Sequence, residues 1–463
     1  MDCDIQLAPR WVNAEAAVFA KHPGDTMQIG MKLGAAWLLI AFLSACSTAS
    51  GPVRPEHVGP ASDGPDAEVG AFRLHALEVR LQTMPPGGER DYLAGILASR
   101  SGRLEEAIRL LNGVLPGIRE SQPERAAIVL EALADVYASA YQYGDAARVY
   151  DDLEQHFARH LHHDIAGDAA LARLLVHVPP QTIEWNAPVR VAMSRNPIGS
   201  LVSEFTINGV REQWLLDTGA NYSVVTRRFA ERLGVTPLAG SAMVGSGLTG
   251  LKSPLQAAIL PQLQVGGAVL SNVVLVILDD ANLRIGSGAD AYQINAILGY
   301  PVLRALGRIT FTQRGEFLAG EAAHKTPGVP MFMRGLTPAI ECEIEGQRLL
   351  FTFDTGASST DFSVRYYQLF RQRKGRWRTR RVESGGAGGT VRREMYIQPD
   401  VVMRVGDKTV TLRDVTIFPA RMNAGIDVLF GNIGQDFVAN FESFTLDFVN
   451  MTFSLGFPLP AHS

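Results

Sequence analysis

The sequence predicts a multidomain chain in which an α-helical segment precedes two tandem, all-β lobes. Three observations lead there. The tripeptide Asp-Thr-Gly occurs twice, as Asp217-Thr218-Gly219 and Asp354-Thr355-Gly356, each time after an apolar run, Trp214-Leu215-Leu216 or Phe351-Thr352-Phe353. The residues flanking the two copies repeat as well. Residues 71 to about 175, by contrast, are rich in Ala, Leu, Glu and Arg, with apolar positions recurring at helical spacing.

The 463 residues are enough for two to four domains at about 100–200 residues each. With 46% hydrophobic and 19% charged residues, the composition is that of a folded chain and excludes extended disorder. A net charge of −4 gives no whole-chain attraction to nucleic acid.

Residues 1–46 read as a signal region. From Met31 a single Lys32 precedes the apolar run Leu33–Leu43, and Leu43-Ser44-Ala45-Cys46 follows. The run is too short for a membrane span, which needs about 20 apolar residues. Residues 1–30 carry no such pattern, so the expected start is Met27 or Met31. Residues 47–70, rich in Gly, Pro, Ser and Asp, read as a flexible linker.

Residues 71–178 form the helical segment. Gly102-Arg103-Leu104-Glu105-Glu106-Ala107 and Tyr143-Gly144-Asp145-Ala146 each follow an apolar helical pattern and lie about 40 residues apart. This is similar to tetratricopeptide repeats, whose usual period is about 34. A partner- or peptide-binding groove and a structural cap on the lobes are both open readings. His156, His160 and His163 share a helical face, but no Glu follows His156 as a zinc-protease helix requires, so a solvated helix end is expected and no metal.

The first lobe is expected at 186–322 and the second at 334–458. Before each Asp the chain reads as a hairpin with a turn ending in Gly, at Gly209 or Gly346. In the second copy Ile340, Cys342 and Ile344 should face inward and Glu341, Glu343 and Glu345 outward. About 30 residues after each Asp comes a glycine-rich stretch: Gly245, Gly247 and Gly250 in one, Gly385, Gly386, Gly388 and Gly389 in the other. Paired strands follow, then an apolar pair with Gly, Ile297-Leu298-Gly299 and Leu429-Phe430-Gly431. Arg308–Phe311 and Phe444–Phe448 close the lobes with β-rich sequence. A cluster of Arg371, Arg373, Lys374, Arg376, Arg378, Arg380 and Arg381 surrounds Trp377; a solvated face is the plain reading, and contact with acidic substrate or lipid head groups the alternative.

A lone Asp-Thr-Gly is an ordinary strand-to-turn exit. Two matched copies suit a chemistry that needs two facing carboxylates sharing one proton. Over roughly residues 186 to 458 the chain resembles the retropepsin-like aspartic proteases, in the bacterial group of that family. The resemblance rests on Asp-Thr-Gly-Ala after an apolar strand, the glycine-rich stretch and the late apolar-apolar-Gly motif. It implies two retropepsin- or pepsin-like acid-protease barrels, with Asp217 and Asp354 as the catalytic dyad and Thr218, Gly219, Thr355 and Gly356 supporting the dyad loops. Each Thr would hydrogen-bond across to the opposite loop. The glycine-rich stretches would be flaps (Gly245, Gly247, Gly250, Gly385, Gly386). The reaction would be hydrolysis of peptide or protein substrates, without cofactor. One departure is that Gly299 is followed by Tyr300-Pro301 rather than Arg or Asn with Asp, which puts the retroviral contacts between lobes in doubt.

The signal resembles that of a bacterial lipoprotein, lipidated at Cys46. With Ser47 next, it implies an outer-membrane anchor facing the periplasm. The cysteines are Cys3, Cys46 and Cys342; after processing only Cys342 would keep a free thiol, as a small core residue on a strand. The rival expectation is a non-catalytic envelope lipoprotein serving as a peptide-binding or helical-repeat scaffold. Two intact Asp-Thr-Gly copies argue against it.

Overall fold

The structure, a computed structural model, describes residues 37–38, 65–161, 165–245, 252–286, 291–320, 328–386, 389–420 and 427–460. Cys46 with most of the signal run, His163, Gly247, Gly250 and Gly388 lie outside these residues.

Among the described residues seven α-helices precede the β-rich part: α1 (Pro65–Gly70), α2 (Leu74–Thr83), α3 (Gly88–Arg100), α4 (Leu104–Ile118), α5 (Pro123–Ser139), α6 (Tyr143–Asp152) and α7 (Ala166–Leu174). Pro123 opens α5, where its missing N–H costs nothing. Along α4, Ala107, Leu111, Val114 and Ile118 recur at helical spacing and are buried. Short turns join α3 to α4 and α5 to α6. Each contains a residue of positive φ, Gly102 or Tyr141. Gly102 is required twice over, because a Cβ there would also meet Met451 Sδ at 2.5 Å. The expectation that residues 47–70 are linker fails at its end. Pro65–Gly70 is helical, with Val69 buried, Glu68 paired to Arg80 and Asp66 paired to Arg125. Composition alone hides these partners, since they lie on α2 and α5.

Two β-rich segments follow, and the same order of elements runs through both. The first has strands Val189–Arg195, Leu201–Ile207, Val210–Leu216 and Ser223–Thr226, then a short helix Arg227–Leu233. A hairpin of Ala242–Gly245 with Lys252–Val265 comes next, then Ala268–Leu278, Ala296–Leu298, the helix Tyr300–Ala305, Arg308–Thr312 and Glu316–Ala319. The second has Val329–Arg334, Thr337–Ile344, Gln347–Phe353 and Asp361–Phe362, then the helix Val364–Phe370. A hairpin of Arg378–Gly386 with Gly389–Val405 follows, then Lys408–Ile417, Gly431–Ile433, the helix Gln435–Val438, Ser443–Asp447 and Thr452–Leu455. An additional strand, Thr182–Trp185, pairs with Ala268–Ser271.

The segments join through one antiparallel sheet to which each contributes strands. Its order is Val189–Ala192, Glu316–Ala319, Arg308–Thr312, Ser443–Asp447, Thr452–Leu455 and the start of Val329–Arg334. At its centre Phe311 stacks on Phe444 with ring centroids 4.6 Å apart, and the hydroxyls of Thr310 and Thr445 lie 2.8 Å apart. Paired large rings and a continuous ladder make this seam part of one core rather than a sliding contact. Cys342 is a free thiol inside that core, with Ile340 and Ile344 on the same buried face of the strand.

The helices pack on both segments. Residues of α3 to α5 share a core with Phe332, Ala339, Leu350 and Leu429 of the second. Tyr143 of α6 and Leu171 of α7 share one with Val202, Leu215 and Val224 of the first. Between α3, α5 and the Val329–Arg334 strand sits a charged group: Arg100, Glu131, Asp135 and Arg334. Burial pushes Glu131 up to about 7 and Asp135 up to about 6, against the pull of the two arginines. Among the described residues no helix is long and apolar enough to cross a membrane.

Candidate active site

Each Asp-Thr-Gly turn begins where a core strand ends. Asp217 N donates to Leu298 O and Asp354 N to Ile433 O, both at 3.0 Å, so a short neighbouring strand holds each turn in place. The Asp side chain then folds over its own turn. Asp217 Oδ1 accepts from Gly219 N at 2.8 Å and Ala220 N at 3.1 Å. Asp354 Oδ1 accepts from Gly356 N at 2.7 Å and Ala357 N at 3.2 Å. In each carboxyl the outer oxygen, Oδ2, is buried and has no hydrogen-bond partner of regular geometry.

The two turns face each other and are locked reciprocally. Thr218 N donates to Thr355 Oγ1 and Thr355 N to Thr218 Oγ1, each at 3.0 Å. Each hydroxyl passes its own proton to the strand that carries the other Asp: Thr218 Oγ1 to Phe353 O at 3.0 Å, Thr355 Oγ1 to Leu216 O at 2.7 Å. The glycines explain how closely the turns approach. A Cβ on Gly219 would lie 2.5 Å from Asp354 Cγ, and one on Gly356 would lie 2.4 Å from Asp217 Oδ2. Only glycine leaves that space to the opposite carboxylate.

Both Asp residues are fully buried, and burial raises both pKa values. Asp217 goes well above the usual carboxylate range, pushed by burial and then by the charge of Asp354. Asp354 rises less, because hydrogen bonds from Asp217, its own turn and Asn432 favour its ionised form. A pair that holds one proton between them is the arrangement such an environment favours.

The late glycine behind each turn needs a correction. Gly299 is placed as expected: its N donates to Ser223 Oγ at 3.1 Å, and a Cβ would strike Tyr222 O at 2.3 Å. Its counterpart in the second segment is Gly434, not Gly431. Gly434 N donates to Thr360 Oγ1 at 3.2 Å, and a Cβ would lie 2.5 Å from Ser359 O. The next residues match too, since Tyr300 N donates to Ala220 O and Gln435 N to Ala357 O. Asn432 replaces the first apolar residue of the expected motif, and this conceals Asn432-Ile433-Gly434 from a search for two apolar residues and Gly. Gln435 was also not foreseen. Its Nε2 donates to Thr355 O at 2.7 Å, and its Oε1 accepts from Arg195 of the first segment.

The remaining expected residues fall as follows. Gly245 ends a strand opposite Lys252, while Gly385 and Gly386 pair with Thr390 and Gly389, so these described glycines lie at the ends of paired strands. His156 Nδ1 lies 3.0 Å from Asp152 Oδ1. Among the described residues no group of three or more His, Cys, Asp or Glu is disposed to hold a metal. Around Trp377 the basic residues are exposed; Arg373 pairs with Glu345 and Arg378 with Asp414.

Against solved structures, this chain is similar to basic 7S globulin from soybean, with 10% identity over 60% of this chain and 95% of that one, at a TM-score of 0.35. It is likewise similar to edgp, with 10% identity over 60% and 96% and a TM-score of 0.37. A retropepsin-like aspartic protease from Rickettsia conorii matches at 18% identity over 30% of this chain and 94% of that one, TM-score 0.19. No curated protein matches in sequence. Residues 203–302, the stretch with Asp217 and Gly299, match the family model described as aspartyl protease, and that match points to a peptidase acting on peptide or protein substrates.

Proposed function

We propose that the protein is an aspartic endopeptidase whose two β-rich segments are tandem retropepsin-like lobes sharing one catalytic dyad, Asp217 and Asp354. The observation that carries this reading is the reciprocal Thr218–Thr355 lock, which sets two buried carboxylates against each other across the glycines. In the reaction the ionised carboxylate takes a proton from a water held between the pair, and the water oxygen bonds to the peptide carbonyl carbon. The protonated carboxyl gives its proton to the carbonyl oxygen. Collapse of this intermediate breaks the C–N bond, and the amine leaves with a proton returned through the dyad. Positioned acid–base catalysis of this kind supplies about 10²–10⁴-fold; orientation and exclusion of water supply the rest. The two glycine-ended hairpins are the closing flaps in this reading.

The N-terminal sequence supports a lipid anchor at Cys46 and a periplasm-facing envelope location. The test is a peptide-library digest by the wild type beside Asp217→Asn and Asp354→Asn. Cleavage by wild type and loss in both variants is expected. Wild-type turnover in either variant sinks the shared dyad, and no cleavage by wild type returns the chain to the scaffold reading.

A further inference from the structure

The two segments secure their Asp-Thr-Gly turns differently. In the second, the helix behind the turn does so with its own side chains. Gln435 Nε2 donates to Thr355 O at 2.7 Å, and Asp436 Oδ1 accepts from Thr360 N at 2.8 Å and Thr360 Oγ1 at 2.7 Å. In the first, Tyr300 and Pro301 hold those two positions. Proline has no side-chain donor or acceptor, and the Tyr300 hydroxyl turns to Ser139 Oγ of α5 at 3.5 Å.

The helical segment supplies what the first segment lacks. Pro301 O accepts from the Tyr141 hydroxyl at 2.8 Å and from Gln181 Nε2 at 3.0 Å, which fills both of its lone pairs. Tyr141 lies in the turn between α5 and α6, and Gln181 between α7 and the strand Thr182–Trp185. Arg304 hydrogen-bonds the phenol oxygens of both Tyr141 and Tyr300, and Asp135 of α5 adds its charge at Tyr300. Burial pushes the Tyr141 phenol up to about 12, so it remains a donor at neutral pH.

Tyr141 is also strained where it stands. α5 closes with a bond from Gln142 N to Tyr137 O, and α3 with the same bond from Arg103 N to Ala98 O. The residue inside each closure is left-handed, with φ 66° at Gly102 and 60° at Tyr141. Glycine takes this position freely, and a bulky side chain does not. Such strain persists where the surrounding contacts fix it, and here the contact is the one to Pro301 O.

We propose that Tyr141 and Gln181 are positioning residues for Asp217, acting through the Pro301 carbonyl, so that the helical segment is a working part of the dyad site and not a detachable cap or a separate binding module. The inference rests on the peptidase reading and adds residues to it. The path is short. The two side chains fix the start of the helix Tyr300–Ala305, Tyr300 N holds the Ala220 carbonyl at 2.8 Å, and Ala220 N with Gly219 N holds Asp217 Oδ1. This gives a role to Tyr300-Pro301, the pair that departs from the retroviral pattern.

Tyr141→Phe and Gln181→Leu each remove one donor, and the double variant removes both. Tyr137→Phe is the matched control: it removes a hydroxyl that accepts from Asn112 Nδ2 at 2.9 Å, inside the helical segment. Steady-state kinetics on the full chain are measured far below the unfolding transition. Hydrogen exchange is read by mass spectrometry on the peptide containing Gly219 and Ala220. The double variant should lose about 10–100-fold in kcat with KM within about twofold, the scale of a displacement of about 1 Å or less. The acid limb of its pH–kcat/KM profile should move to higher pH, because the Gly219 and Ala220 amides favour ionised Asp217, and those amides should exchange faster. The single variants should fall between, and they decide the matter if the double variant does not fold. Tyr137→Phe should match wild type in every respect. Lower stability with wild-type kcat, acid limb and exchange overturns the positioning role, as does an equal effect of Tyr137→Phe. Faster exchange in the double variant with no cleavage by wild type removes the peptidase reading and leaves the brace standing. Cleavage by wild type with unchanged exchange in the double variant does the reverse.

Discussion

Replacing Thr218 by Val changes almost nothing in shape and removes one hydroxyl, so its effect isolates the lock between the two turns. Thr218 and Thr355 are 0% and 1% exposed, and water cannot substitute for what is lost. The Thr355 N–H loses its acceptor at 3.0 Å and the Phe353 carbonyl loses a donor at 3.0 Å. At about 1–3 kcal/mol for each of the two buried groups left unsatisfied, the variant should be less stable by about 2–6 kcal/mol, a large part of the ~5–15 kcal/mol typical of a folded protein. Catalysis should suffer separately. The Phe353 carbonyl is one residue from Asp354, so freeing it loosens the carboxylate's position, and a misplacement of about 1 Å costs on the order of 10²-fold. Urea unfolding gives the first quantity, and kcat/KM measured far below the unfolding transition gives the second. Thr218→Ser keeps the hydroxyl and should recover most of both. An unchanged midpoint together with unchanged kcat/KM in Thr218→Val would refute the reasoning that the reciprocal bonds align the dyad.

Further outcomes follow from the same geometry. Gly219→Ala should abolish cleavage, because its Cβ would lie 2.5 Å from Asp354 Cγ; a fully active, equally stable variant would mean that the turns stand further apart. The acid limb of the pH–kcat/KM profile should lie above the ordinary carboxylate range, because burial raises both members of the pair and below the limb both carboxyls are protonated; a limb at pH 3–4 would contradict the burial argument. Gly386→Pro should cut kcat/KM without unfolding the protein if that hairpin closes over substrate, and unchanged kinetics would remove the flap assignment. Cys46→Ser should lose palmitate labelling and membrane partition, whereas equal labelling of both proteins would remove the lipid anchor.

Much of the fold was legible because the chain states it twice. Two copies of one turn in matching hairpins, with inward Ile340, Cys342 and Ile344, suffice to place the strands and the two Asp-Thr-Gly turns. What a repeat cannot display is the point where its copies diverge. At Asn432 a polar residue stands where the first copy has Ile297, and this moved the expected glycine from Gly434 to Gly431. Nor could sequence spacing bring Asp66 to Arg125, or Arg100 to Asp135 and Arg334, because those pairs depend on which helix faces meet.

That buried charge cluster also yields a sign that can be checked. Glu131 and Asp135 have folded pKa values of about 7 and 6, above ordinary carboxylate values, chiefly through burial. The folded state therefore binds more protons than the unfolded chain between about pH 4 and 7. Stability from these groups is fully present below the unfolded value near pH 4 and is lost as pH rises through 6 and 7. A tenfold change in proton affinity corresponds to about 1.4 kcal/mol, and Glu131 is partly open to solvent, so a loss of about 1–3 kcal/mol between pH 4.5 and 7.5 is the expected scale. Glu131→Gln removes the titration while keeping the size of the side chain. It should equal wild type in stability near pH 4.5 and exceed it at pH 7.5, as read from urea midpoints at the two values. A variant less stable than wild type at both would mean that attraction to Arg100 and Arg334 outweighs burial, and that the cluster fastens the helices to the second β-rich segment as an ion pair instead of burdening that contact with charge.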